Sequence, residues 1–120
     1  MKKTLLILLF IPFCLLSQNG PTASFIYNPV CLGSNVVLTD FSYPDPTTNS
    51  QIVSWSWQYN GNIFSSQQNA DYLFTQCGNY DIILTVTDDN GFSDDTTISI
   101  QIFCPPTAGF INDIVCYGDP

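Results

Sequence analysis

Gly78-Asn79-Tyr80-Asp81-Ile82-Ile83-Leu84-Thr85-Val86-Thr87-Asp88-Asp89-Asn90-Gly91, and the run Thr96-Thr97-Ile98-Ser99-Ile100-Gln101-Ile102-Phe103 after it, decide the fold. Tyr80, Ile82, Leu84 and Val86 occupy alternate positions, as do Ile98, Ile100 and Ile102. A period of two puts each set on one face of a strand. Asp88-Asp89-Asn90-Gly91 between the runs is a hairpin signal. A hairpin with one apolar face needs a second layer to cover that face.

Upstream, the same pattern recurs in shorter pieces. Residues 23–27 and 36–39 read as strands separated by Asn28-Pro29 and Gly33-Ser34-Asn35. The polar loop 42–50 contains prolines that no helix tolerates. Residues 52–59 alternate with Val53, Trp55, Trp57 and Tyr59 on one face. Asn60-Gly61 then turns the chain tightly into Asn62-Ile63-Phe64. Residues 71–75 place Tyr72 and Phe74 together. No stretch past residue 17 keeps a helical period, so the expectation is an all-β, Ig-like antiparallel sandwich of about seven strands.

Composition narrows the chemistry. The 120 residues carry ten acids, all Asp, no His, and two basic residues, Lys2 and Lys3, for a net charge of −8. Without His the commonest general base and metal ligand is missing. Without Lys or Arg past residue 3 there is no Schiff base, no phosphate clamp and no cationic footprint for nucleic acid. Ser and Thr hydroxyls have no base to activate them, so an enzyme is not expected.

Met1-Lys2-Lys3 and the uncharged stretch 4–16 read as a signal peptide, 1–17, too short to span a bilayer and interrupted by Pro12. Cleavage is expected between Ser17 and Gln18. Lipidation at Cys14 is the competing outcome, disfavoured by the bulky Phe13 before it. The mature chain then has no cationic side chain and is expected outside the cell, secreted or surface-associated, with no membrane span.

An internal repeat sets the organisation. Pro21-Thr22-Ala23-Ser24-Phe25-Ile26-Tyr27-Asn28-Pro29-Val30-Cys31-Leu32-Gly33 returns as Pro106-Thr107-Ala108-Gly109-Phe110-Ile111-Asn112-Asp113-Ile114-Val115-Cys116-Tyr117-Gly118, with 8 of 13 positions identical at an offset of 85. Residues 21–104 are read as one domain and 105–120 as the start of a second, truncated copy in a tandem array.

Trp57-Gln58-Tyr59-Asn60-Gly61-Asn62, Tyr72-Leu73-Phe74 and the run from Gly78 to Gly91 resemble the PKD (polycystic kidney disease) domain over about residues 21–104. The family pattern is roughly W-D-F-G-D-G, then H-x-Y/F, then G-x-Y-x-V-x-L-x-V-x-D-x-x-G. The last block matches well. In the first, Gln58 replaces Asp and Asn60-Gly61-Asn62 replaces Gly-Asp-Gly, while Tyr72 stands at the family's His. The resemblance implies an extracellular, non-catalytic sandwich, found in tandem in surface proteins and beside secreted proteases and polysaccharide-degrading enzymes. The leader's end, Leu-Leu-Ser-Gln, and the repeated P-T-A-x-F starts are similar to those of large adhesins exported by type 9 secretion.

Several residues invite a sharper reading. Trp55 and Trp57 would form a sugar-stacking platform if exposed, but a shared strand face makes them core. Tyr27, Tyr43 and Phe92 are the better exposed aromatics. Asp88, Asp89, Asn90, Asp94 and Asp95 offer hard oxygen ligands for calcium, the one cofactor considered, without the spacing of an EF-hand loop. A solvated hairpin tip is the simpler account of them, since Asp and Asn are ordinary turn residues, and no wall splits their pKa values for catalysis. With Cys14 gone, Cys31, Cys77, Cys104 and Cys116 read as disulfide candidates rather than zinc ligands. Cys31–Cys77 would tie the two sheets at one end and is the expected pair, with Cys116 pairing elsewhere. Cys77–Cys104, brought together by the hairpin about Asn90, is the alternative. Partners are expected to be a protein or carbohydrate surface and further repeats of the chain. Two functions stay open: a spacer and interaction module in adhesion, or an accessory module of a secreted hydrolase whose catalytic domain lies beyond residue 120.

Overall fold

In the computed structural model, residues 19–106 are described. The predicted leader, Cys14, and the second copy past residue 106 with Cys116 lie outside them. Eight strands follow in order: β1 (Phe25–Tyr27), β2 (Val30–Cys31), β3 (Val36–Asp40), β4 (Ile52–Tyr59), β5 (Asn62–Ser65), β6 (Ala70–Tyr72), β7 (Gly78–Asp88) and β8 (Ser93–Phe103). They form a three-stranded sheet, β1-β3-β6, and a five-stranded sheet, β2-β8-β7-β4-β5. The described residues contain no helix.

The alternating runs behave as their period requires. Ile82, Leu84, Val86, Ile100 and Ile102 point inward and are buried with Trp57, against Phe25, Val36 and Leu38 of the facing sheet. Trp57 is fully buried, its ring meeting Phe25 edge-on at 5.0 Å across the sandwich. Its Nε1–H donates to the Gln67 carbonyl at 2.9 Å, so the polar edge of the indole is satisfied inside. Asn60 (φ 56°) and Gly61 (φ 80°) both sit in the left-handed region, as a two-residue type I′ hairpin demands.

Four details depart from the sequence reading. The strand count is eight, because the two-residue β2 carries no periodic signal; it lies parallel to β8, with Val30 opposite Ile102 and Cys31 opposite Phe103. Val53 is 56% exposed and does not share the face of Trp55 and Trp57. The register of β4 on β7 shifts between Ile52 and Ser54, and a one-residue slip reverses a side chain's face. Tyr27 packs half-buried against the core, whereas Tyr43 and Phe92 are exposed.

The fourth departure is the disulfide, which joins Cys77 to Cys104 with Cα atoms 5.1 Å apart, not Cys77 to Cys31. Gly78 pairs with Ile102, so the hairpin delivers the residues just beyond both strand ends to each other. Cys31 lies on the far side of β8, since the sheet order is β2-β8-β7. Two inter-strand spacings, about 9.5 Å, exceed the roughly 7 Å reach of a disulfide.

The bridge closes a loop with a sequence separation of 27. Cys77→Ser/Cys104→Ser should therefore lower unfolding stability by about 3.5 kcal/mol in the chain-entropy model. Denaturant unfolding of the exported protein measures this, and non-reducing peptide mapping should recover the 77–104 pair. In the same assay Trp57→Ala should cost about 3–5 kcal/mol, whereas Val53→Thr on the open face should change stability by less than about 0.5 kcal/mol.

Candidate functional site

The two ends of the sandwich differ. At one end β7 turns into β8 through Asp88 to Phe92. The Asp88 amide donates to the Phe92 carbonyl, and the Gly91 amide donates to the Asp88 carbonyl. Gly91 (φ 91°) supplies the left-handed step that closes this turn. Asp88 continues the inward series of Ile82, Leu84 and Val86 and is 2% exposed, not a solvated tip. Its Oδ1 accepts the amides of Asn90 and Phe92, at 3.0 and 2.9 Å. Its Oδ2 is buried without a hydrogen-bond partner, and so is Asp45 Oδ2 in the adjacent 42–50 loop. That loop is tied to the hairpin: the Gln51 amide donates to Asp89 Oδ1, and the Asp89 amide to the Gln51 carbonyl.

The five residues predicted to bind calcium do not converge. Asp94 is exposed and turned to the N-terminal lead, its Oδ2 accepting the Ala23 amide at 2.8 Å. Asp95 is exposed on the opposite face of β8, across from Thr85. Asp89 is held by Gln51. Among the described residues no three Asp, Glu, His or Cys side chains gather as a metal-binding group. The predicted tryptophan core is observed: Trp57 is fully buried, and half-buried Trp55 donates its Nε1–H to Asp40 Oδ2 at 2.9 Å.

At the other end, Tyr59, Tyr72, Phe74 and Tyr80 form an aromatic cluster, with Phe74 stacked on Tyr80 at 4.1 Å. The Tyr80 hydroxyl donates to the Gln76 carbonyl. Strand β4 stops at Tyr59, opposite Ile82, while β7 begins four residues earlier at Gly78. The unequal lengths leave a notch of about 730 Å³ beside the Asn60-Gly61 turn, lined also by Tyr59, Asn79, Tyr80, Asp81 and Ile83. Sequence reading missed it, because the signal is a register difference between strands rather than a motif. Elsewhere, Ile26, Val37, Phe41 and Tyr43 are exposed apolar side chains on the outer side of the three-stranded sheet. No helix among the described residues is long and apolar enough to cross a membrane.

Two packed sheets with this strand order define an Ig-like β-sandwich. The chain belongs to the PKD domain family: the family model matches residues 18–103. It is similar to the PKD1 domain of Vibrio anguillarum Epp, at 30% identity and TM-score 0.64 over 74% of this chain and 100% of that one. It is also similar to the PKD1 domain of the Vibrio cholerae metalloprotease PrtV, at 32% identity and TM-score 0.60 over 70% of this chain and 98% of that one. A chain from carbohydrate-binding modules of the β-sandwich superfamily matches at 24% identity and TM-score 0.63, covering 73% of this chain and 36% of that one; this likeness is one of fold.

Asp88→Ala removes the acceptor of two backbone amides in the turn. It should cost about 3 kcal/mol, while Asp95→Ala on the open face should stay within about 0.5 kcal/mol. Thermal unfolding of the two variants tests the assignment, and equal losses would refute it.

Proposed function

We propose that the chain is a non-catalytic extracellular module of a secreted or cell-surface protein, acting as a spacer and interaction domain in adhesion. The observation that carries this reading is where the backbone enters and leaves. Thr22 pairs with Tyr43 and Ala23 donates to Asp94, so the chain enters at the 88–92 hairpin end. It leaves at Cys104, at the other end of the eleven-residue β8, a separation of roughly 35 Å. Entrance and exit at opposite ends suit a link in an extended chain. The repeat at an offset of 85, identical at 8 of 13 positions, supports further links, with a connection as short as Cys104-Pro105. The likeness to the PKD1 domain of a metalloprotease favours a second reading, an accessory module of a secreted hydrolase.

Deleting residues 21–104 from the exported protein separates the two. The adhesion reading expects fewer cells attached to a surface and unchanged hydrolysis of protein or polysaccharide. Loss of hydrolysis with attachment intact would favour the accessory reading. Mass spectrometry of the exported product should find Gln18 at the mature N-terminus; a lipid on Cys14 would place the protein on a membrane instead.

Calcium enters this reading as a weak stabiliser. Of the predicted ligands, Asp88 alone keeps a buried unpartnered oxygen, and Asp45 keeps another in the adjacent loop. Such oxygens suit a hard cation at the millimolar affinity of extracellular modules. Millimolar calcium should raise the melting temperature beyond sodium chloride of equal ionic strength. Asp88→Asn should abolish that excess and Asp95→Asn should keep it. No excess over sodium would end the proposal.

A further inference from the structure

We propose that Asn60-Gly61, the turn between β4 and β5, is a site of self-modification: the Asn60 side chain cyclises onto the Gly61 amide nitrogen and is then opened by water to aspartate and isoaspartate. In the cyclisation the Gly61 nitrogen gives up its proton to hydroxide and forms a bond to Asn60 Cγ. The Cγ–Nδ2 bond breaks and ammonia leaves. Water then opens the five-membered imide at either carbonyl. One opening gives an aspartyl chain, the other an isoaspartyl chain whose backbone runs through Cβ. Neither step is an oxidation or a reduction.

The sequence holds three Asn-Gly pairs, at 19–20, 60–61 and 90–91, and all three asparagines are exposed. In each, glycine leaves the attacking nitrogen uncrowded. Exposure and sequence therefore do not separate the pairs; backbone conformation does. The imide ring contains Cβ, Cα, the carbonyl carbon and the glycine nitrogen. It closes only when Cβ and that nitrogen are eclipsed about the Cα–C bond, which for an L residue means ψ of about −120°, the value at the first central residue of a type II′ turn, where φ is about +60°. Asn60 already has φ 56°. The type I′ turn it occupies becomes type II′ by rotation of the single peptide between Asn60 and Gly61. That rotation takes Gly61 from φ 80° to a negative φ, and glycine adopts both signs with equal ease. Both turn types match the twist of the flanking strands, so β4 and β5 need not move.

Among the described residues nothing holds that peptide. The Gly61 amide, the Asn60 carbonyl and the Asn60 side chain make no hydrogen bond to any of them, and the paired residues Tyr59 and Asn62 lie outside it. Asn90 is the opposite case. Its φ is not positive, since Asn60 is the one described non-glycine residue in the left-handed region. Its own amide donates to Asp88 Oδ1, and the Gly91 amide donates to the Asp88 carbonyl at 3.1 Å. Turning the 90–91 peptide breaks that second bond. Asn19-Gly20 precedes every strand and supplies the rate of a pair outside the hairpins. The isoaspartyl product puts a carboxylate and an extra backbone atom into a two-residue turn. Only three residue pairs, with a register shift among them, join β5 to β4, so this product loosens the edge strand.

The test is storage of the processed, folded chain at neutral and mildly alkaline pH. Peptide mapping by mass spectrometry follows the gain of one mass unit at each site, and enzymatic methylation counts isoaspartate. Asn60 should keep pace with Asn19, react about tenfold faster than Asn90, and quicken with hydroxide concentration. In denaturing urea, where the turns are gone, Asn60 and Asn90 should react at similar rates. Asn60→Gly retains a residue suited to the left-handed step; it should abolish reaction at this turn and leave the rate at Asn90 unchanged. Equal rates at Asn60 and Asn90 in the folded chain would overturn the proposal, as would faster reaction at Asn90. So would a preference for Asn60 that persists in urea, or an Asn60 that reacts in urea and not in the folded chain.

Discussion

A buried or half-buried carboxylate ordinarily meets a guanidinium or an ammonium. Past Lys3 this chain has neither, yet it carries ten aspartates. The fold meets that constraint by making carboxylates accept from neutral N–H groups. Asp40 takes the Ser42 amide, the Trp55 indole and the Gln68 amide group. Asp94 takes the Ala23 amide, Asp88 those of Asn90 and Phe92, and Asp71 the side-chain amide of Asn35. Hydrogen bonds to a charged acceptor contribute about 1.5–3 kcal/mol each. Two of these cross the sandwich, Trp55 to Asp40 and Ala23 to Asp94, and so add direction to a core whose packing has none.

Directed contacts matter because the apolar core is asymmetric. The five-stranded sheet contributes Trp57 and the isoleucine, leucine and valine rows of β7 and β8; the smaller sheet answers with Phe25, Val36 and Leu38. Trp57 spans the gap between the sheets to meet Phe25, and its indole N–H reaches Gln67, fixing the loop between β5 and β6. One end is therefore held by carboxylate–amide bonds around Asp88. The other is held by stacked aromatics and the Cys77–Cys104 bridge. A chain that enters at the first end and leaves at the second is anchored at both.

The strongly periodic strands were legible because burial on one face writes itself into every second residue. Ile82, Leu84, Val86, Ile100 and Ile102 all lie where the period of two puts them. The failures share a different cause: they depend on which strand neighbours which. Val53 turns outward because of a register shift that only the pairing with β7 creates. Cys31 and Cys77 do lie at one end, but β8 intervenes, because the two-residue β2 joins the larger sheet at its far edge. Asp88 was legible as the next inward position of β7. Its place in a turn motif masked this, since Asp at a turn usually faces water.

Strand length is the remaining variable, and it makes the notch. Were β4 as long as β7 at this end, its backbone would cover Asn79 to Asp81 and the sheet would close flush. Ending β4 at Tyr59 with an Asn-Gly turn leaves backbone, two tyrosines, two amides and a carboxylate around one recess. Tyr59 and Tyr80 pack against the core, whereas Asn79 and Asp81 are exposed and take no part in it. Asn79 and Asp81 are thus free to vary without loss of the fold, whereas Asn60 holds a left-handed step of the turn.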